Sequence, residues 1–193
     1  MIKIGITGGI GSGKTVVTTL FEAMGIPVYI ADEESKKLTN SSPAIRKQLI
    51  DLFGSSIYTS EGVDRKQLAT YIFNDPERLK QVNAIIHPEV NRHFQNWVQQ
   101  LRVPYCAIES AILFESGFDR LVDIRLMVYA PLEVRIQRVM KRDSFSREEI
   151  IRRINNQLAD EIKKEYSDAV IMNDDKNAII PQLTHFITHL QSL

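Results

Sequence analysis

The residues with the plainest chemical purpose are Gly8-Gly9-Ile10-Gly11-Ser12-Gly13-Lys14-Thr15, which fit the spacing G-x-x-x-x-G-K-[ST]. Glycines let the backbone bend so that successive N–H groups turn inward, where they can hold phosphate oxygens. A helix starting at Lys14 would add its positive N-terminal end. Lys14 supplies a point charge for the β- and γ-phosphates, and the Thr15 hydroxyl suits a Mg²⁺ ion. A β-rich run precedes the loop and a helical run follows, as the motif requires. The pattern implies a bound nucleoside triphosphate, with contacts expected from residues 8–15 and from the neighbouring Val16.

Other placed charges narrow the class. Arg135, Arg138 and Arg142 are three and four residues apart, so they share one face of a helix. No acidic residue lies within one turn of Arg138, and Lys141 adds to the positive charge, so an anionic ligand is the natural complement. A solvated charged face is the plain alternative. Asp32 follows a predicted strand, at the edge where open α/β sheets bind ligands. Its carboxylate could orient and deprotonate a hydroxyl, or cap the helix 33–38, and the two roles are compatible. A guanine-reading switch would carry Asn-Lys-x-Asp late in the chain, whereas this one has Asn173-Asp174-Asp175-Lys176. A motor ATPase would close a hydrophobic strand with an Asp for Mg²⁺. Here the strand at 105–109 ends in a lone Glu109, and Asp123 begins its strand. His185 and His189, four apart, read as exposed helix residues for want of a third metal ligand.

The elements that must position these groups alternate between short apolar strands and helices. Strands are predicted at 2–7, 27–31, 105–109, 124–129 and 169–172. Helices are predicted at 14–24, ending at Gly25, and at 44–53, ending at Gly54. Asp64 caps 65–73, and Asp75-Pro76 opens a helix through 86. Further helices are expected at 88–102, 132–141 and 178–193. Ser146 with Glu149 forms a capping box for a long helix over 147–165. No strand signal appears between 33 and 102. The expected fold class is α/β, a five-stranded parallel sheet with helices on both faces. It comprises a core (1–32, 103–131 and 168–193), a helical substrate-side insertion (33–102) and an arginine-rich helical lid (132–167), all in one domain.

The 193 residues are enough for a sizeable core. Basic and acidic residues balance at 24 each, so neither nucleic acid nor a membrane surface is an expected partner. The single Cys106 can form no internal disulfide. The first residues run straight into the glycine loop, leaving no room for a signal peptide, and a cytoplasmic protein is expected.

Taken together, the motifs resemble the dephospho-CoA kinase family over nearly the whole chain. The run Ile6-Thr7-Gly8-Gly9-Ile10-Gly11-Ser12-Gly13-Lys14 is similar to that family's phosphate loop, and Asp32 to the Asp closing its Asp-Ala-Asp element. Asp64-Arg65 with Leu68, Ile72 and Phe73, then His87-Pro88, resembles its substrate-side helices. Leu113-Phe114-Glu115 matches its Leu-Phe-Glu stretch. Arg135, Gln137-Arg138, Arg142-Asp143, Ser146, Glu148, Arg153-Ile154 and Gln157 fall at the spacings of its lid. Asp168-Ala169-Val170-Ile171 with Asn173 resembles the late strand whose loop approaches the adenine. Ile30 departs from the pattern by replacing the first Asp of Asp-Ala-Asp. Thr15, Ala111 and Ser167 also differ, without removing a group the chemistry needs.

The resemblance implies a P-loop kinase fold and transfer of the ATP γ-phosphoryl group to the ribose 3′-hydroxyl of dephospho-CoA, giving coenzyme A. Asp32 would be the base, with Lys14, Arg138 and Arg142 neutralising charge. Asn173 would face the nucleotide, and Arg65, His87, Leu113 and Glu115 would face the substrate. ATP and Mg²⁺ are the implied donor and metal, and a monomer or weak homo-oligomer is expected. A kinase of another small metabolite, such as a nucleoside monophosphate, and a nucleotide-gated ATPase switch are the alternatives.

Overall fold

Burial on both faces is what makes the predicted strands strands: Ile4, Ile6, Cys106, Ala107, Ile108, Leu126, Met127 and Val128 all have 0% of their surface exposed. The computed structural model describes residues 1–72 and 75–190. Phe73 and residues 191–193 of the expected terminal helix lie outside the described residues. In chain order the first elements are β1 (Ile2–Thr7), α1 (Lys14–Ala23), β2 (Val28–Ile30), α2 (Ala31–Ser41) and α3 (Pro43–Phe53). Next come β3 (Tyr58–Thr59), β4 (Gly62–Val63), α4 (Arg65–Ile72), α5 (Pro76–Gln100), β5 (Tyr105–Glu109) and β6 (Ile124–Tyr129). The last are α6 (Leu132–Arg142), α7 (Arg147–Asn155), α8 (Asp160–Glu165), β7 (Ala169–Met172) and α9 (Ile179–Leu190).

The chain packs as two compact units, one of Met1–Tyr29 with Arg102–Leu193 and one of Ile30–Leu101. The stretch expected as a lid, 132–167, packs within the first unit. The sheet is five-stranded and parallel, in the order β2-β5-β1-β6-β7. β1 pairs with β5 from Ile2 opposite Tyr105 to Ile6 opposite Glu109, and with β6 from Ile4 opposite Ile124 to Thr7 opposite Met127. The glycine loop therefore leaves the carboxyl end of the central strand, where open parallel sheets gather their ligands. Val17 and Phe21 of α1 and Leu183, Phe186 and Leu190 of α9 join Ile4, Ile6, Leu126 and Val128 in one core. Gly25 stops α1 as expected, with φ 78° and its N–H donated to Glu22 O.

In the second unit Ile45, Leu49, Ile57, Tyr58 and Val82 form the core. Asp64 and Asp75 accept the N–H groups of Gln67 and Arg78, both at 3.0 Å, and so cap α4 and α5 as their positions suggest.

Four sequence expectations change. The second strand is shorter than 27–31, because Ala31 already belongs to α2. The segment 33–102 does contain strands: Tyr58–Thr59 and Gly62–Val63 form a small antiparallel hairpin closed around Ser60 and Glu61. Pro88 does not end a helix but sits inside α5. The apolar positions Val82, Ile86, Val90 and Phe94 continue at four-residue spacing past it. Burying each such side chain is worth about 1.5–3 kcal/mol, which together exceeds the ~3 kcal/mol that an interior proline costs. Finally, the helix expected over 147–165 breaks in two. Its capping box is present, with Glu149 N–H on Ser146 Oγ (3.2 Å) and Ser146 N–H on Glu149 Oε2 (2.8 Å). α7 nevertheless ends at Asn155, and residues 156–159 turn toward other partners.

Asp168 fastens β7 to β6 by accepting three hydrogen bonds from Arg125, from its main-chain N–H, Nε and Nη2, each 2.8 Å. These bonds hold its carboxyl below the ordinary aspartate value. A depressed folded-state value means that the stabilisation is complete above about pH 4, the unfolded value, and fades as pH falls through the folded one. Asp168→Ala is therefore expected to lower the melting temperature by about 2–4 °C at pH 7, the effect of ~1 kcal/mol in a domain of this size. The gap from the parent protein should narrow progressively as the pH falls below about 4, which melting curves at several pH values would check.

Candidate active site

The glycine loop is held from both sides by polar side chains that come too close for any Cβ. At Gly9 a Cβ would overlap Nη1 of Arg135, and at Gly13 it would overlap Nδ2 of Asn173. Gly13 also has φ 93°, a left-handed conformation that starts α1. Asn173 is positioned by β7, whose register places its N–H on Tyr129 O at 2.7 Å. From there its side-chain amide donates to Ser12 O at 2.7 Å. Arg138, on α6, donates Nη2 to Asn173 Oδ1 at 3.2 Å and to Asp175. Its Nη1 is buried with no hydrogen-bond partner among the described residues. Phosphate loop, Asn173 and Arg138 thus form one connected site, with a buried donor still to be satisfied.

Lys14 is the loop's charged side chain. Its Nζ donates to Gly8 O at 3.0 Å and lies 3.5 Å from Glu109 Oε1, at the end of the neighbouring strand β5. Both side chains are nearly buried, with 13% and 12% exposed. Glu109 is a residue that the sequence showed only as a strand end. The Thr15 hydroxyl makes no hydrogen bond among the described residues and lies on the exposed side of the first turn of α1. Val16 is exposed on that turn and, with Leu20, Asn173, Ile179, Ile180 and Pro181, lines a groove of about 740 Å³. Its apolar walls suit a flat ring.

Ile10 stands apart from the other expected phosphate contacts. Its N–H points to Gln157 Oε1 and its carbonyl accepts from Arg135 Nη1, both at 3.4 Å. Its side chain packs on the cluster of Ile136, Val139 and Ile150. It is the loop's anchor.

The arginine face is not the unbalanced charge expected of it. Arg135 is 3% exposed and ion-paired with Asp160, Arg138 meets Asp175, and Arg142 makes two hydrogen bonds to the adjacent Asp143. The first two partners come from segments distant in sequence, which is why spacing within the helix did not show them. Arg142 remains largely exposed and makes no hydrogen bond to the loop among the described residues.

Leu113 also lies elsewhere than expected. It is fully buried, with its methyl groups where a Cβ on Gly5 would reach, so it packs beneath β1 and offers no surface to a substrate. Glu115 accepts Leu158 N–H at 2.6 Å and lies 3.4 Å from the Lys163 ammonium.

In the second unit Asp32 is the second residue of α2. Ile30 takes the cap position without a side-chain bond, so Asp32 is not the cap. Its carboxylate is exposed and takes no hydrogen bond or ion pair from the described residues. Arg65 is exposed at the start of α4, and His87 lies within α5, where burial pushes its imidazole below the ordinary histidine value.

A sequence profile of the dephospho-CoA kinase family matches residues 2–178. A dephospho-CoA kinase from Bacteroides fragilis is 50% identical over 190 residues, 98% of this chain and 93% of that protein. The chain belongs to the dephospho-CoA kinase family. A Thermus thermophilus crystal structure superposes with a TM-score of 0.83 at 34% identity, covering 99% of this chain and 96% of that one. At the level of fold alone, shikimate kinase from Acinetobacter baumannii matches with a TM-score of 0.55 at 15% identity, covering 100% and 94% of the two chains. The strand order and glycine loop are thus those of a P-loop kinase.

Gly9 gives the site a direct test. Arg135 cannot simply swing away from a new Cβ, because it is buried and ion-paired. Gly9→Ala is expected to cost about 1–3 kcal/mol, as overpacking does, and to weaken ATP binding at the same time. Melting curves and calorimetric titration with ATP would check both. An alanine variant that melts and binds as the parent does would contradict the close approach.

Proposed function

We propose that the protein carries out its family's reaction, ATP-dependent phosphorylation of dephospho-CoA in coenzyme A biosynthesis, with the ribose 3′-hydroxyl as acceptor. The observation that carries this reading is the connected set of phosphate loop, Asn173 and Arg138 in a chain half identical to a dephospho-CoA kinase. Main-chain N–H groups around Gly11 to Lys14 receive the phosphates, and Lys14 leaves Glu109 for the β- and γ-phosphate oxygens. The apolar groove beside Val16 takes the adenine, with Asn173 at its edge. Arg138 offers its unsatisfied Nη1 to charge developing on the transferring group. Arg142 joins it if it exchanges Asp143 for phosphate.

The free hydroxyl of Thr15 fits a metal ligand. Mg²⁺ held there would draw charge off the phosphate oxygens. Asp32 orients the attacking hydroxyl and takes its proton, a role supported by an exposed, uncommitted carboxylate. Arg65 and His87 serve the acceptor side. His87, neutral at pH 7 through burial, can do so as a hydrogen-bonding partner. The neutral net charge favours a small-molecule substrate over nucleic acid or a membrane, and no described helix is long and apolar enough to cross a membrane. The lone buried Cys106 is compatible with a cytoplasmic setting.

The deciding experiment measures ADP release with dephospho-CoA, nucleoside monophosphates or no acceptor. Release that depends on dephospho-CoA supports the reading, while release with nucleoside monophosphates or with no acceptor overturns it. Asp32→Asn in the same assay is expected to lose ~10²–10⁴-fold in kcat, the range for a general base. ATP affinity should stay within a few fold. Stability should drop by only about 0.3–1 kcal/mol, because the charge at the first turn of α2 is lost. An active Asp32→Asn enzyme would leave the base to another group.

A further inference from the structure

From the break at 156–159 and the start of α8 that follows it, Gln157, Asp160 and Lys163 reach the phosphate loop, the arginine against it and the loop after β5. At one end Gln157 accepts Ile10 N–H (3.4 Å), while Asp160 holds Arg135, which in turn donates to Ile10 O (3.4 Å) and lies against Gly9. Both main-chain polar groups of Ile10 are therefore bound, one by this segment and one by the arginine it fixes.

At the other end Lys163, 0% exposed, donates to Ala111 O at 2.6 Å and lies 3.4 Å from Glu115 Oε1. Glu115 accepts Leu158 N–H in return. Ala111 lies in the loop that leaves β5, two residues after Glu109, the partner of Lys14.

A fully buried ammonium is an expensive way to join two segments. Desolvation depresses its basicity, and apolar replacements of buried ion pairs are often neutral or stabilising. What the polar contacts add over an apolar filling is direction: fixed donors and acceptors at both ends of one rigid piece. Phosphoryl transfer depends chiefly on such placement, and a shift of ~1 Å in a reacting group can cost roughly a hundredfold in rate.

We propose that residues 157–163 form a strut that sets the phosphate loop against the loop after β5, with Asp160 and Lys163 as positioning residues for phosphoryl transfer. The kinetic half of the proposal rests on the kinase reading above; the structural half does not. Lys163→Met, Glu115→Gln and their double variant are the test, with Asp160→Asn as a second way to release the phosphate-loop end should Lys163→Met fail to fold.

Amide exchange at residues 9–13 is measured first, in the absence of acceptor. Lys163→Met, Asp160→Asn and the Lys163→Met/Glu115→Gln double variant should each speed it by roughly tenfold or more, with the melting temperature of the double variant, which leaves no charge of the pair unpaired, staying near that of the parent protein. In the dephospho-CoA assay kcat should fall by roughly ten- to a hundredfold, with ADP affinity by calorimetry changed less than threefold. The double variant should lose no more than the worse single one, because the two side chains act as one anchor. Unchanged amide exchange, or kcat losses that add in the double variant, would overturn the strut. A parent protein that releases no ADP with dephospho-CoA would instead overturn the kinase reading and leave the exchange result to decide the strut.

Discussion

The backbone of residues 9–13 is squeezed between a guanidinium and a carboxamide, and most of the first unit can be understood as holding those two groups in place. Arg135 reaches the loop from α6 and is kept there by Asp160, in a site where only 3% of the arginine is exposed. Asn173 reaches it from the end of β7, held by the register of β7 on β6. A guanidinium buried this deeply needs its counter-charge, so α8 must return to the loop. A carboxamide fixed on a strand end needs the sheet order, so β7 must lie two strands from β1. The glycines are the other half of the same constraint. They leave the space that these side chains fill.

How much of this was legible in the sequence depends on the range of each interaction. Signals contained in one turn of chain were readable: the glycine loop, the caps at Asp64 and Asp75, the Ser146–Glu149 box and the stop at Gly25 all appear where the residue types put them. The fully buried strands were readable too, because continuous apolar runs have few other uses. Pro88 misled because a local rule met a long-range one. The core stripe of α5 continues on both sides of it, and burial outweighs one missing hydrogen bond.

The site was legible in part. Lys14, Arg138 and Asn173 could be named from pattern and resemblance; Arg138 meets Asn173, which meets the phosphate loop at Ser12, while Lys14 of that loop turns to Gly8 and Glu109. Their partners could not. Glu109, Asp160 and Lys163 are charged residues that look like any others on a solvated surface. Each acquires a purpose only through a contact with a segment far away in sequence. Leu113 shows the opposite error, since its motif suggested a ligand contact while its side chain belongs to the core. Asp32 was placed just after a strand, where it lies, but the helix starts two residues earlier than a cap at Asp32 would allow.

Glu109 occupies the place of an anion before any nucleotide arrives. Its carboxylate lies 3.5 Å from the Lys14 ammonium, with little of either side chain in water. For Lys14 to hold a phosphate, its ammonium would first have to exchange Glu109 for it. Glu109 spares this nearly buried cation the cost of lacking a counter-charge. In return, part of the attraction that a phosphate would feel is already cancelled. A polyphosphate held by Lys14 would lie close to the Glu109 carboxylate. The like charges of the two would oppose the bound state and favour release.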